Sequence, residues 1–446
     1  MDEKLLMTSG DYRKKIIYFA LPIFLGNLFQ QFYNTADSLI VGNFLGSHAL
    51  AAVSSTGSLI FLLIGFFLGF SSGSGVIIAR EIGARNDANT ERAVHTAVML
   101  GIGFSILMTV AGVFGADAML RMIGIPAEVF HDASLYVRIY FAGSTGLVMY
   151  NIFVGILQAS GDSRHPLYYL ITSSIINIIL DLLFITVFHM GVDGAALATI
   201  ISQLISMALA GYRLMNIDSA CRIMFSRLKI DPSFLKEIFA YGLPTAMQGC
   251  VIDFANLMIQ AYVNSFGPNA MAGIGAYSRI EGFMFLPVTA FGIALTTFVS
   301  QNIGAKQEDR AFQGIRFGTV CTLVSIELIG VAIYVFAPQL ISMFIQDPDV
   351  IYYGVLRARI CSLFFFLLGF SHVTSSVMRG LGKPVVPMAV MLICWCAVRV
   401  IAILLLGDTF HSVAFVSWLY LITWCLSSLV YVYQYYRIYL DRKKTA

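Results

Sequence analysis

Residues 13–42 read RKKIIYFALPIFLGNLFQQFYNTADSLIVG. The basic cluster Arg13, Lys14 and Lys15 gives way at Ile16 to a run in which Asp37 is the only charged residue. About 20 mostly apolar residues in a helix cross the hydrocarbon of a bilayer. This run is too long for a signal-peptide core and lacks a small-residue cleavage site at its end, so it reads as a first transmembrane helix that stays in the protein. Within it Asn27, Gln30, Gln31, Asn34 and Asp37 recur at helical spacing and form one polar stripe. An ionisable group inside a span costs about 2.5–3.5 kcal/mol, which makes Asp37 a functional candidate.

The rest of the chain has the same character. Of 446 residues, 58% are hydrophobic and 12% charged, against about 25% charged in a soluble domain. A soluble core cannot absorb that much apolar surface, so most of it faces lipid. The expected fold class is an all-α polytopic membrane protein of about twelve spans. They fall near residues 16–43, 47–79, 94–116, 132–158, 166–189, 192–214, 236–264, 269–301, 314–338, 351–379, 385–407 and 411–437. Most basic residues lie at the chain ends and in alternate loops: Lys4, Arg13 to Lys15, Arg80, Arg85, Arg92, Arg164, Arg213, Arg222, Arg227, Lys229, Lys236, Lys306, Arg310, Arg316, Arg379, Lys383, Arg437 and Arg442 to Lys444. The other loops are nearly bare. Both termini are therefore expected in the cytoplasm, with the chain multi-pass in the cell membrane.

The net charge of +3 is too small to point to nucleic acid. The partners expected are membrane lipids and a small-molecule substrate, and the chain reads as a monomer. Cys221, Cys250, Cys321, Cys361, Cys394, Cys396 and Cys425 lie mostly in apolar stretches, and none forms a CxxC pair. They read as small buried hydrophobes, not as metal ligands or a disulfide framework.

The longest polar connector, Met215 to Pro232, sits near mid-chain. It divides an N-lobe (residues 1–214) and a cytoplasmic linker (215–233) from a C-lobe (234–446). The halves match at a near-constant offset of about 221 residues. Leu21-Pro22 matches Leu243-Pro244, Asn34 matches Asn256, and Ile82-Gly83-Ala84-Arg85 matches Ile303-Gly304-Ala305-Lys306. Arg138 matches Arg359, Gln158-Ala159-Ser160-Gly161 matches Arg379-Gly380-Leu381-Gly382, and Pro166 matches Pro387. With six helices each, both halves enter the membrane from the same side. A pseudo-two-fold axis along the membrane normal is expected, with a cleft between the lobes.

Two further acids lie in spans. Asp181 is one turn from Asn177 and two from Ser173, on one face of the fifth helix. Asp253 shares the seventh helix with Asn256 and Gln260. Polar faces can simply glue helices together, but Ser, Thr or Asn suffice for that, and a carboxylate is a costly choice. Two carboxylates close together in low dielectric cannot both ionise cheaply, so one proton or one small cation is expected between them. Asn177 and nearby hydroxyls offer neutral oxygens, which suit hard cations. The chain has no P-loop GxxxxGK[ST], which leaves an ion gradient as the energy source. No enzymatic activity is expected, and no cofactor beyond the coupling ion, Na+ or H+. Gln31, Asn34, Asp253, Asn256 and Gln260 are the substrate-cleft candidates. Weaker candidates are Glu327 in the ninth span, Arg399 in the eleventh and His372 in the tenth, the last favoured as a satisfied interior histidine. Arg279 and Glu281 in the eighth could satisfy each other or line a vestibule. Most of the 19 Met and 35 Phe residues read as packing or lipid-facing. Any that face a cleft would suit bulky, often cationic ligands.

With these residues placed, the chain resembles the multidrug and toxic compound extrusion (MATE) family over nearly its whole length. The resemblance rests on Leu21-Pro22 with Asp37, Ile82-Gly83-Ala84-Arg85, Gln158-Ala159-Ser160-Gly161-Asp162, the Asn177–Asp181 pair and Gly194-Ala195-Ala196-Leu197-Ala198-Thr199. It implies antiport of organic cations, drugs or other amphipathic molecules against Na+ or H+, by alternating access of two six-helix lobes. It also implies an N-lobe cation site at Asp37, Asn177, Asp181 and Thr199, with the Ala195 carbonyl nearby and Na+ as one possible occupant. Other members carry a glutamate in the seventh helix and an acid in the tenth. Here the seventh has Asp253, the tenth (Arg357 to Arg379) has no acid, and Asp37 falls opposite Ile259 in the repeat, so the lobes differ chemically. The alternative reading is a lipid-linked sugar flippase of the same superfamily; those tend to be longer, with about fourteen spans and a more basic cavity. An intramembrane aspartyl protease would need GxGD, and Ala159-Ser160-Gly161-Asp162 lacks the first glycine. A prenyltransferase would need several Mg2+-binding carboxylates, and a channel a repeated filter loop.

Overall fold

The computed structural model describes residues 5–445. Among them there is no strand, and the helices run α1 (Tyr12–Gly83), α2 (Asp87–Met122), α3 (Ala127–Ala142), α4 (Ser144–Ala159), α5 (Arg164–Leu182), α6 (Val192–Asn216), α7 (Pro232–Asn264), α8 (Pro268–Glu281), α9 (Phe285–Gly304), α10 (Glu308–Ser342), α11 (Pro348–Cys361), α12 (Phe365–Gly380), α13 (Val385–Val390), α14 (Val398–Leu406) and α15 (Val413–Thr445). Among the described residues nine helical runs are long and apolar enough to cross a membrane, and α3 with α4, bent by 48°, makes a tenth. The second part of α1, residues 47–83, and the 33-residue α7 complete a fold of roughly twelve spans. Phe114, Leu404 and Leu405 are among many large apolar side chains left exposed, as a lipid-facing surface requires. Of the basic residues read for orientation, Lys4 lies outside the described residues, as do the side chains of Arg442, Lys443 and Lys444.

The first two expected spans form one long helix interrupted only at Gly46, where φ is 85°. That left-handed backbone is open to glycine without a Cβ clash. Three expected spans are instead broken. Between α3 and α4, Gly143 has φ −96° and ψ 7°. Between α11 and α12 a 3₁₀ turn, Ser362–Phe364, ends at Phe364 with φ −116° and ψ 14°. These two breaks fall at matching places in the repeat. The eighth span breaks at a further 3₁₀ turn, Gly282–Met284, between α8 and α9.

The internal repeat is legible in backbone hydrogen bonds. Arg85 and Lys306 both take left-handed φ, 54° and 57°. The Arg85 N–H donates to the Ile82 carbonyl and the Lys306 N–H to that of Ile303, each at 3.0 Å. Gly161 and Gly382, at φ 91° and 82°, close the fourth and tenth spans with donation to the carbonyls of Gln158 and Arg379, each at 3.0 Å. These are left-handed C-caps that satisfy the last carbonyls of a helix. Two copies of each cap, in matching loops, are beyond what apolar composition produces.

The described chain divides into two compact units. One holds residues 5–246 with Ser300–Gln307, the other Met247–Val299 with residues 308–445. Within the first, helices approach to backbone contact: a Cβ on Gly83 would overlap the Gln301 carbonyl, and one on Gly304 the Arg80 carbonyl. The Met7 N–H donates to Gln301 Oε1 at 2.8 Å, and Gln301 Nε2 donates to the Ala159 carbonyl at 2.7 Å. Lipid is as apolar as leucine, so close packing and buried hydrogen bonds of this kind hold such helices together.

The connector between α6 and α7 is not a loose tether. The Met224 N–H donates to His95 Nε2 at 3.2 Å, the Asp231 N–H donates to Thr96 Oγ1 at 3.0 Å, and Arg227 pairs with Glu91 at 3.0 Å. Arg92 bonds Asp231 with Nε at 2.8 Å and with a second nitrogen. Asp231 also caps α7 through the Ser233 N–H at 3.0 Å. Its carboxyl is held down to about 2, first by the Ser233 hydroxyl and then by Arg92. Burial pushes the Cys221 thiol in this segment up to about 12. The reading of every cysteine as buried needs correction. Cys221, Cys361 and Cys394 are buried, but Cys250, Cys321 and Cys396 are half-buried and Cys425 is exposed. On a lipid-facing helix an exposed thiol carries little penalty, since it behaves as a small hydrophobe.

Candidate ion-coupling site

The first unit brings α1, α3, α5 and α6 around a polar centre. The sequence of α6 makes this possible: Gly194, Ala195, Ala196, Ala198 and Thr199 are all buried, and such small side chains let helix backbones approach closely. On α5, Ser173, Asn177 and Asp181 are buried together on one face. Ser173 Oγ donates to the Ser202 carbonyl on α6 at 3.1 Å. With its amide oriented to satisfy both neighbours, Asn177 Nδ2 donates to Asp181 Oδ2 at 2.9 Å and its Oδ1 accepts from the Thr199 N–H at 3.3 Å. Thr199 Oγ1 donates to the Ala195 carbonyl at 3.0 Å. The α-helical geometry of α5 then gives way to a π-helical turn, Leu183–Val187, the kind of irregularity often found beside functional residues.

Asp37 enters from α1 and comes within hydrogen-bond reach of Asp181. A carboxylate only accepts, so two in contact need a proton or a cation between them. Oδ1 of Asp37 and Oδ1 of Asp181 are buried without a hydrogen-bond partner among the described residues. Tyr33, one turn before Asp37, reaches Thr199. Tyr136 on α3 lies within electrostatic range of both acids and stacks on Tyr140, with ring centroids 6.2 Å apart. Val41, Ile185, Val192, Ala195 and Tyr136 belong to one buried apolar cluster around this centre. Oxygen donors of this kind suit a proton or a hard cation.

The polar stripe of α1 is divided. Asn27 and Asp37 are half-buried, whereas Gln30, Gln31 and Asn34 are exposed. The backbone carbonyls of Gln31 and Asn34 accept from the hydroxyls of Thr35 and Ser38, each at 2.9 Å. Asp253, in the second unit, is half-buried, and Asn256 and Gln260 are exposed, with Gln260 Nε2 donating to Asn264 at 2.9 Å. Glu281 does not pair with Arg279, which is exposed. It accepts instead from the Tyr277 hydroxyl at 3.3 Å and lies within range of Arg357 and Arg399. His372 packs between aromatic rings, 5.5 Å from Phe285 and 5.2 Å from Trp395. Its Nε2 has no hydrogen-bond partner among the described residues, so the satisfied histidine expected there is packed but not paired. Sequence reasoning missed Tyr33, Tyr136 and Tyr140. The available signal was Tyr33 four residues before Asp37 and Tyr136 four before Tyr140, but Tyr is common enough in spans to mask it.

The MatE family model matches residues 22–183 and again 244–405. The chain belongs to the MATE family. The two matches begin at Pro22 and Pro244, the prolines that open the two halves of the repeat. The transporter is 31% identical to the probable multidrug resistance protein YpnP of Bacillus subtilis over 88% of each chain. It is 28% identical to the probable multidrug resistance protein YoeA of the same organism, over 96% of this chain and 94% of that one. Its fold is similar to that of a multidrug resistance MATE family transporter of the MOP superfamily in an outward-facing conformation, with TM-score 0.90, 23% identity and 99% of both chains covered. This MATE transporter is a multi-pass membrane protein that moves small molecules.

Proposed function

We propose that this MATE transporter exports organic cations, drugs or other amphipathic small molecules in exchange for Na+ or H+, by alternating access of its two lobes. The observation that carries the reading is the contact between Asp37 and Asp181. A pair of carboxyl groups in a nonaqueous interior takes up one positive charge, and Asn177, Thr199 and the Ala195 carbonyl stand where they can support it. As the ion binds, repulsion between the acids is relieved, and the packing of α1 against α5 and α6 changes in energy. An ion shifts the balance between outward and inward states only by as much as it prefers one of them, and this pair supplies such a preference. The naming of YpnP and YoeA as probable multidrug resistance proteins supports the substrate class. Gln31 and Asn34 on the exposed face of α1, with Asp253, Asn256 and Gln260, are the residues proposed to meet substrate, Asp253 by attraction to its positive charge. The transporter works as a monomer in the cell membrane.

The test is drug-dependent ion flux in proteoliposomes, with pH and Na+ gradients imposed separately. Export driven by one gradient identifies the coupling ion. Export independent of both removes the reading.

A further inference from the structure

The second unit buries a cluster of charge in which the coupling site has no part. Arg357 on α11 and Arg399 on α14 are 4% and 1% exposed. Their guanidinium carbons lie 4.4 Å and 4.1 Å from the centroid of one ring, Tyr420 on α15. The two cations are therefore no farther apart than those distances laid end to end, and they repel each other. Arg357 also lies 5.4 Å from the Tyr277 ring, and Arg399 4.8 Å from the Trp395 ring. Arg399 Nε donates to Thr423 Oγ1 at 3.0 Å. Arg357 Nε and Arg399 Nη2, however, are buried with no hydrogen-bond partner among the described residues. Ring faces attract a guanidinium but accept no conventional hydrogen bond from its edge. The carboxylate acting on both arginines is Glu281. Two guanidiniums and one carboxylate leave an excess positive charge in an interior that does not tolerate one without a counter-ion. Trp395 sits in a π-helical turn, Met391–Ala397, that leads directly into α14, so the backbone is irregular here as it is beside Asp181.

We propose that Arg357 and Arg399 form a binding site for one small inorganic anion of the halide class. One such ion brings the cluster to neutrality and supplies an acceptor for the unpaired N–H groups. The enclosure of both arginines selects the size: a lipid headgroup or the carboxylate of a bulky substrate does not fit among side chains this buried. A weakly hydrated halide loses least on leaving water for a site walled by Tyr420, Trp395 and Tyr277. The site stabilises the packing of α8, α11, α14 and α15 and stands whether or not Asp37 and Asp181 couple transport to an ion.

The experiment is thermal unfolding of the detergent-purified transporter in chloride, bromide or gluconate at equal ionic strength and pH, with a bromide-soaked crystal to locate the anion. Halide should raise Tm by about 3 °C or more over gluconate through preferential binding to the folded state. Arg357→Gln and Arg399→Gln should each remove that difference, while Asp181→Asn keeps it. Bromide should appear beside Arg357 Nε and Arg399 Nη2. Equal Tm in halide and gluconate overturns the site, as does a halide effect that survives both arginine substitutions, or bromide bound elsewhere. Phosphatidylglycerol vesicles without halide should give no stabilisation; if they reproduce the halide effect and lose it with Arg399→Gln, the cluster is a lipid site and the proposal fails. Should the arginine variants not fold, the wild-type comparison and the bromide position decide the question.

Discussion

A carboxyl group in a membrane-spanning helix is tolerated when something nearby answers its charge. Asp181 accepts a hydrogen bond from Asn177, one turn below, and meets the like-charged Asp37 of another helix. Asp37 and Asp181 are proposed to bind one ion between them, so they should act as a unit. Asp37→Asn and Asp181→Asn should each lower ion-driven export by about tenfold or more, since either change removes an ionisable partner of the pair. Folding and much of the drug binding should remain. The double variant should lose little beyond either single one, because interacting residues are not additive. Proteoliposome flux and drug-binding isotherms on the three variants check this. Wild-type rate and ion dependence in Asp37→Asn would refute the site.

At the scale of the helix, a break must be satisfied as fully as an end. The tenth span restarts at Phe365 after the turn Ser362–Phe364, which frees backbone N–H groups in the first turn of α12. Glu327 on α10, suspected from sequence as a functional acid, accepts the Phe366 N–H at 3.2 Å. It acts as a cap supplied from a neighbouring helix. Glu327→Leu should cost about 1 kcal/mol of stability, as loss of a capping acceptor does, while Glu327→Gln keeps an acceptor and should leave Tm near that of the parent. The connector before α7 offers a second element-scale prediction. The Asp231 carboxyl titrates at about 2 in the folded chain, below the ordinary aspartate value of about 3.9. A depressed value means that its contribution is complete above the unfolded value and is lost as pH falls through the folded one. Hydrogen-exchange protection of the Asp231 amide should therefore be constant near neutrality and decline between about pH 4 and pH 2. In Asp231→Asn it should be lower and free of that decline.

For the whole molecule, the distribution of Lys and Arg makes a topological prediction that the helices themselves do not. An even number of spans with basic loops on one side predicts that both ends of the chain lie in the cytoplasm. A fluorescent reporter that matures only in the cytoplasm should be bright when fused at either end, and an alkaline phosphatase fused at the same places should be inactive. Active phosphatase at one end would mean an odd number of crossings.

The class of protein, the approximate spans, the two-fold repeat and the short list of intramembrane acids are all legible in the residues alone. Each is carried by local information. Apolar composition sets burial in lipid, and the loop motifs at residues 82–85 and 303–306 form their caps through hydrogen bonds spanning a few residues. A stripe such as Ser173, Asn177 and Asp181 follows from helical period alone. Which polar residues meet emerges only once the helices are packed. Gln31, Asn34 and Asp37 look alike along α1, yet Asp37 turns toward α5 and the other two stay exposed, because the rotation of a helix about its axis depends on what packs against it. The same reason hid the partner of Glu281, which is Tyr277 one turn before it with Arg357 from a distant helix, and not the adjacent Arg279. Contacts between helices far apart in the chain depend on register and close approach, as between the small side chains of α6 and Asn177 on α5, and no periodicity within one helix encodes them.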